Sequence, residues 1–237
     1  HQILLANRSP EKAKQIAHEV GGEPVTNEVV FEQASVIFLG VKPTQFADLL
    51  QEYHAILEKR SSVLFISMAA GLTLQQLEAF VPTQHRLIRI MPNTPVTVGD
   101  GVISYVLSDK ATEQDEDLLC ELLDSAGLLV HLKEQQATAV AGCGPAFVYL
   151  FLEALADAGV QTGLPRDLAL QLANQTLLGA AALAKESGQH PAVLKDQVCS
   201  PAGSTIAGVA SLEADAFRGN IIKAVAASYK RTQKLGK

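Results

Sequence analysis

The sequence predicts an α/β chain in two parts, a doubly wound, mostly parallel sheet over residues 1–132 and an all-α part over residues 133–237. Three observations predict it. In the first part, short runs rich in Val and Ile alternate with amphipathic stretches, the order that builds a sheet covered on both faces. Strand signals stop near residue 133, and apolar helices separated by Gly or Pro follow. The chain has 237 residues, 48% of them hydrophobic, enough to bury a core in one large or two small domains.

Strands are expected at Gln2–Ala6, Val36–Val41, Val63–Ser67, Arg86–Ile90, Gly101–Leu107 and Leu128–Leu132. Between them, helical patterns cover Pro10–Glu19, Asn27–Gln33, Thr44–Glu58, Thr73–Phe80 and Thr112–Ser125. Ser9 followed by Pro10 is a helix start, an N-cap with proline at the first helical position. The second part reads as helices over Pro145–Gly159, Pro165–Ser187, Pro191–Val198, Ser204–Ala214 and Phe217–Lys234. The helix after Pro165 is apolar nearly all round, which predicts cover on several sides. A partner subunit is the expected source of that cover; the centre of the chain's own bundle is the alternative.

A net charge of −6 and a pI near 5.5 argue against nucleic acid or an anionic membrane as the main partner. Cys120, Cys143 and Cys199 form no CxxC pair and the six histidines are scattered, so neither a metal site nor a disulfide framework is expected. The most apolar run, Pro145–Leu152, is stopped by Glu153 and Asp157, too short to span a bilayer. With no signal-peptide pattern, a soluble cytoplasmic protein is expected. The chain opens on His1, and it is expected to be part of a longer product.

Parallel sheets bind ligands at the C-terminal ends of their strands, and four such ends carry suitable residues. Asn7-Arg8-Ser9 ends the first; an Arg there accommodates a 2′-phosphate, and no acid is present to hold a free ribose hydroxyl. Gly40-Val41-Lys42-Pro43 sets one cation on a turn fixed by proline. Met68-Ala69-Ala70-Gly71 is small enough for a flat ring to approach the backbone. Met91-Pro92-Asn93-Thr94-Pro95 is a rigid loop with one amide side chain. Each string also has a plain reading as a solvated turn, an exposed lysine or tight packing. No GxGxxG lies between a first strand and a first helix. Gly142-Cys143-Gly144-Pro145 opens the helical part instead, where close packing is expected.

Farther on, Cys199-Ser200-Pro201-Ala202-Gly203-Ser204-Thr205 runs directly into an apolar helix start. Free N–H groups at a helix N-terminus favour an anion, and Ser200 and Thr205 add hydroxyls. A plain capped helix start is the alternative.

With these strings in place, the chain resembles the pyrroline-5-carboxylate reductase family along essentially its whole length. The stretch Pro191–Glu213, with Val198-Cys199-Ser200 and Gly203-x-Thr205, fits that family's signature. Val41-Lys42-Pro43, Ala69-Ala70-Gly71, Met91-Pro92-Asn93-Thr94-Pro95 and Gly142-x-Gly144-Pro145-Ala146 occur in family order. The resemblance implies a Rossmann-type domain followed by an all-helical substrate-binding and dimerisation domain. The family's first strand and glycine turn precede the position of His1 and are absent from this chain. It implies a homodimer, building a decamer of dimers, that reduces 1-pyrroline-5-carboxylate to L-proline with NADPH preferred and NADH as the second donor. It places Ser204 and Thr205 on the substrate, with Thr205 as the catalytic residue and Ser200 and Gly203 beside them. Gly40, Val41, Lys42, Pro43, Met68, Ala69, Ala70 and Asn93 would line NADP(H), with Arg8, Ser9 and Asn27 on its adenosine side. Gln197 stands where some members have Asn beside the cofactor. His131 stands where some have an acid, with Glu134 nearby.

Two other functions compete with this one. A β-hydroxyacid dehydrogenase carries a catalytic Lys on the long helix that begins its second domain, and Ala146–Glu153 has none. A non-catalytic NADP-binding regulatory paralogue would show a damaged substrate loop, whereas Ser200–Thr205 is intact.

Overall fold

The structure, a computed structural model, describes residues 2–133 and 139–235. Two compact units make up the chain, one running to Gly142 and taking in the chain from Tyr229, the other Cys143–Ser228.

The first unit holds two pieces of sheet. Strands β1 (Leu4–Leu5) and β2 (Glu23–Pro24) pair in parallel. Strands β3 (Val36–Leu39), β4 (Leu64–Ser67), β5 (Arg86–Pro92), β6 (Gly101–Leu107) and β7 (Gly127–His131) lie side by side in sequence order. All neighbours are parallel except β5 and β6. Their connection explains the exception: Asn93–Asp100, carrying a 3-10 turn over Thr94–Val98, is too short for the crossover that parallel pairing requires. Glycine is obligatory where β6 and β7 begin. A Cβ on Gly127 would stand 2.2 Å from the Gly101 carbonyl oxygen, and one on Gly101 would stand 2.3 Å from Val96 Cγ1.

Helices α1 (Pro10–Val20), α2 (Asn27–Gln33), α3 (Pro43–Glu52), α4 (His54–Glu58), α5 (Leu74–Glu78) and α6 (Glu113–Leu123) flank these strands. The expected helix over 44–58 is therefore two, broken at Tyr53, whose φ of −102° and ψ of 11° leave the helical range. Tyr53 stacks on Phe31 at 4.8 Å at the break. The short β2 was not expected; its two exposed residues acquire strand geometry by pairing with β1.

Phe31, Phe46, Leu50, Phe65 and Leu77 form one core cluster, and Leu64, Ile66, Ile88, Ile103 and Leu119 the other. The alternation of Leu64 and Ile66 against Phe65 along β4 separates the two faces, the period-2 rule of a strand buried on both sides. Buried polar groups are paired. His85 accepts the Val63 N–H at Nδ1 (3.0 Å), and its Nε2 lies 3.0 Å from the Leu57 carbonyl. That pairing fixes a neutral ring with the proton on Nε2. Buried Asp115 receives Arg86 at 2.6 Å and closes a capping box with Thr112.

The second unit is helical. It contains most of α7 (Ala139–Gln161), all of α8 (Arg166–Ser187), α9 (Pro191–Gln197) and α10 (Ser204–Ala214), and the first part of α11 (Phe217–Leu235). Helix α7 corrects an expectation. It begins at Ala139 and runs through Pro145, where the sequence pattern places its start. A Cβ on Gly142 or Gly144 would meet nothing within 4 Å. Extended in this way, Val140–Gln161 is long and apolar enough to cross a membrane by length and composition, with a mean hydropathy of 1.4. Among the described residues nothing covers α8 on all sides: Ala169 and Ala173 are buried, while Leu168, Leu172, Leu178 and Leu183 are exposed.

Candidate active site

The sheet-bearing unit assembles a row of strand ends. Leu39, Ser67 and Arg89 are register partners on β3, β4 and β5, so the loops that follow emerge side by side. Gly40 and Met68 meet there, since a Cβ on Gly40 would lie 3.2 Å from Met68 Cε. Ala69 is buried and its N–H donates to Ser67 Oγ at 3.2 Å, while Ala70 is exposed. Gly71 takes a φ of 85°, which ends the strand in a turn. Lys42 is exposed and is the N-cap of α3, with Val41 half-buried before it and Pro43 at the first helical position. An exposed cation at the N-terminus of α3 suits an anion.

The pair β1–β2 does the same on a smaller scale. Leu5 and Pro24 are partners, which brings Asn7–Ser9 and Val25–Asn27 to one edge. Arg8 is exposed. Ser9 is the N-cap of α1, yet its hydroxyl makes no capping bond; its N–H instead donates to Asn7 Oδ1 at 2.9 Å. Asn27 opens α2, which is capped by the neighbouring Thr26.

Asn93, beyond β5, spends its side chain on the backbone. Oδ1 accepts the Val102 N–H at 2.8 Å and Nδ2 donates to the Ala141 carbonyl at 3.1 Å. Sequence reading did not find this brace, although Pro145, four residues after Ala141, was a signal for it. It also missed the contacts around Tyr105, whose hydroxyl donates to Glu116 at 2.6 Å and whose ring stacks on His131 at 5.0 Å. Burial, reinforced by Glu116, pushes the Tyr105 hydroxyl pKa well up. Glu134 lies outside the described residues.

In the helical unit the loop between α9 and α10 is a tight turn. The Gly203 N–H donates to the Ser200 carbonyl at 3.0 Å, with Pro201 and Ala202 between them. Ala202 holds a φ of 57°, the left-handed conformation that costs a non-glycine residue about 1–2 kcal/mol. A Cβ on Gly203 would stand 2.3 Å from Ser200 Oγ, so this serine is folded over Gly203. Gly203 is the N-cap of α10 and offers no side chain to cap it. The first-turn N–H groups of α10, with the exposed Ser204 and Thr205, are the open donors of this loop. Gln197 is exposed and donates to Gln189 Oε1 at 3.1 Å. Among the described residues, no group of three or more His, Cys, Asp or Glu could hold a metal ion.

A crossover-connected sheet with small, anion-suited strand ends, followed by a helical unit with a donor-rich loop, is the plan of a two-part dinucleotide-binding protein. Comparisons with known proteins make this particular. Residues 133–235 match the family model described as pyrroline-5-carboxylate reductase dimerisation, and residues 1–71 match one described as NADP oxidoreductase coenzyme F420-dependent. The pyrroline-5-carboxylate reductase of Pisum sativum is 42% identical, over 99% of this chain and 86% of its own length. That of Synechocystis is 44% identical over 89% and 79%. Among solved structures, a Coxiella burnetii pyrroline-5-carboxylate reductase superposes with a TM-score of 0.91 at 32% identity, covering 99% of this chain and 88% of that one. A Plasmodium falciparum pyrroline carboxylate reductase with NADP bound gives 0.86 at 30% identity, covering 100% and 98%. The chain belongs to the pyrroline-5-carboxylate reductase family.

Proposed function

We propose that this chain reduces 1-pyrroline-5-carboxylate to L-proline with NAD(P)H, the last step of proline biosynthesis. The observation that carries the reading is the 42% identity to a reductase of that name along 99% of the chain, with the Ser200–Thr205 loop intact. The NADP-binding part is residues 1–132, and the substrate-binding, dimerising part is residues 133–237. The partner is a second copy of the chain, and a decamer of dimers is the larger assembly proposed. The working compartment proposed is the cytoplasm.

The strand-end residues fit a dinucleotide: Gly40 and Ala70 are small and exposed, Ala69 is buried beneath them, and Lys42 and Arg8 are exposed cations. NADPH is the preferred donor in this reading, because Arg8 stands where an acid would select NADH. Gly40, Val41, Lys42, Pro43, Met68, Ala69 and Ala70 would hold one end of the cofactor, and Arg8, Ser9 and Asn27 the adenosine end. Gln197 is assigned beside the cofactor. When bound, the nicotinamide supplies a hydride to the C=N carbon. The protein's contribution is positioning and electrostatics. The Gly203 N–H is taken by the Ser200 carbonyl, so the first-turn N–H groups of Ser204 and Thr205 hold the substrate carboxylate, with Gly203 beside them. The Thr205 hydroxyl hydrogen-bonds the ring nitrogen as it becomes an amine, while Ser200 frames the turn.

The test is NADPH oxidation on addition of pyrroline-5-carboxylate, on this chain and on the chain extended by the N-terminal segment of its relatives. Imine-dependent turnover is expected, and turnover by neither overturns the reading. Thr205→Ala should lower kcat/KM by about 10- to 1000-fold, the range that loss of an orienting donor costs, with NADPH affinity unchanged. An unchanged kcat/KM removes Thr205 from the mechanism.

A further inference from the structure

Residue 145 of an α-helix donates its N–H to the carbonyl of residue 141. Here residue 145 is proline, inside α7, and it has no N–H to give. The Ala141 carbonyl is nonetheless paired, with Asn93 Nδ2 at 3.1 Å. The orientation of that amide is fixed. Oδ1 accepts the Val102 N–H at 2.8 Å, and a flipped amide would set donor against donor and acceptor against acceptor. The Asn93 backbone is held as well, its N–H on the Val102 carbonyl at 3.2 Å and its carbonyl accepting from the Val96 N–H at 3.2 Å. A side chain anchored at three backbone points by the β5–β6 connection thus reaches the one carbonyl that the proline orphans.

We propose that Asn93 is a positioning residue that supplies the hydrogen bond Pro145 cannot make, and so fixes the opening turn of α7. This assigns Asn93 a task other than the cofactor contact its loop suggests. Its activity readout rests on the reductase reading; its stability readout does not.

The experiment is a double-mutant cycle on the full chain: wild type, Asn93→Ala, Pro145→Ala and the pair. In the Pro145→Ala background a backbone N–H is available for the Ala141 carbonyl, so the loss of Asn93 should hurt less. The deficit from Asn93→Ala is expected to be about 2–4 °C larger in thermal midpoint with the proline in place than in the Pro145→Ala background, the shift an orphaned carbonyl gives a chain of this size. In kcat/KM it should be about fivefold with the proline in place and within about twofold in the Pro145→Ala background. The NADPH dissociation constant should stay within about twofold of wild type throughout. Equal deficits in both backgrounds overturn the proposal, as does a weakened NADPH affinity that Pro145→Ala leaves uncorrected. Asn93→Asp keeps the acceptor for Val102 and replaces the donor with a carboxylate oxygen set against the Ala141 carbonyl, a contact the Pro145→Ala background also relieves. If Asn93→Ala does not fold, the same dependence on residue 145 is expected of Asn93→Asp, and its absence is equally decisive. A wild type that turns over no imine would remove the reductase reading and leave the midpoint cycle to decide Asn93.

Discussion

In the sheet-bearing unit the core is built from large apolar side chains: Phe46, Phe65, Leu64 and Ile66 have no exposed surface. The helical unit reverses this. Its buried cluster is Ala156, Ala169 and Ala173, while Leu178, Leu183 and Ile222 stand 61%, 56% and 69% exposed. Small residues let its helices approach closely; a Cβ on Gly159 would lie 3.0 Å from that of Ala169. The large residues are left pointing outward. One unit therefore buries large apolar side chains within a single copy, and the other carries apolar surface of the kind that obligate dimer interfaces bury. The match of residues 133–235 to a dimerisation family accounts for that surface.

This contrast can be broken at its strongest point. Phe65 lies against Phe31 and His85 at 6.5 and 5.6 Å between ring centroids. Phe65→Ala should cost about 3–5 kcal/mol in denaturant unfolding followed by a sheet-unit probe, and the loss should be the same at any protein concentration. Leu178→Asp tests the other side. It should raise the dimer dissociation constant by about 100-fold, the effect of a charge set into an apolar interface, read by sedimentation across a dilution series. A concentration-independent loss of stability in that variant would mean that Leu178 packs within its own copy.

The smallest effect sharpens the comparison by pH. Burial, aided by Arg60 and Arg86, lowers the His85 pKa below its ordinary value near 6.5. The folded state thus resists a proton that the unfolded chain accepts. Its contribution is complete above about pH 6.5 and falls away as the pH drops from there through the lowered folded value. Acid titration of the sheet unit's unfolding midpoint should show this slope, and His85→Phe should flatten it. A slope that survives the substitution assigns the acid sensitivity to other groups.

What could be read from the sequence follows the range of the forces involved. Asn27–Gln33 was legible because its cap, Thr26, is adjacent and Phe31 marks its buried face. Two-residue β2 was not, since only Leu4 and Leu5 make Glu23 and Pro24 a strand. The break at Tyr53 carries no glycine or proline to mark it, and the Phe31 ring stacked on Tyr53 there is distant in sequence. The start of α7 is misplaced by the sequence pattern because Pro145 reads as a first residue, and a side chain far away in sequence supplies what the helix lacks. Among site residues, the strand-end strings around Gly40 and Met68 were visible by composition. Their alignment is a property of register between β3 and β4, which no local pattern encodes.

The antiparallel step between β5 and β6 bears on the order in which this chain folds. Each parallel pair of the five-stranded sheet must close a loop containing at least one helix before its ladder can form. The β5–β6 pair closes only Asn93–Asp100, and loop-closure entropy rises with loop length. The least entropic barrier in the sheet therefore lies at its centre, and a ribbon of two strands is available there as a template before its parallel neighbours arrive.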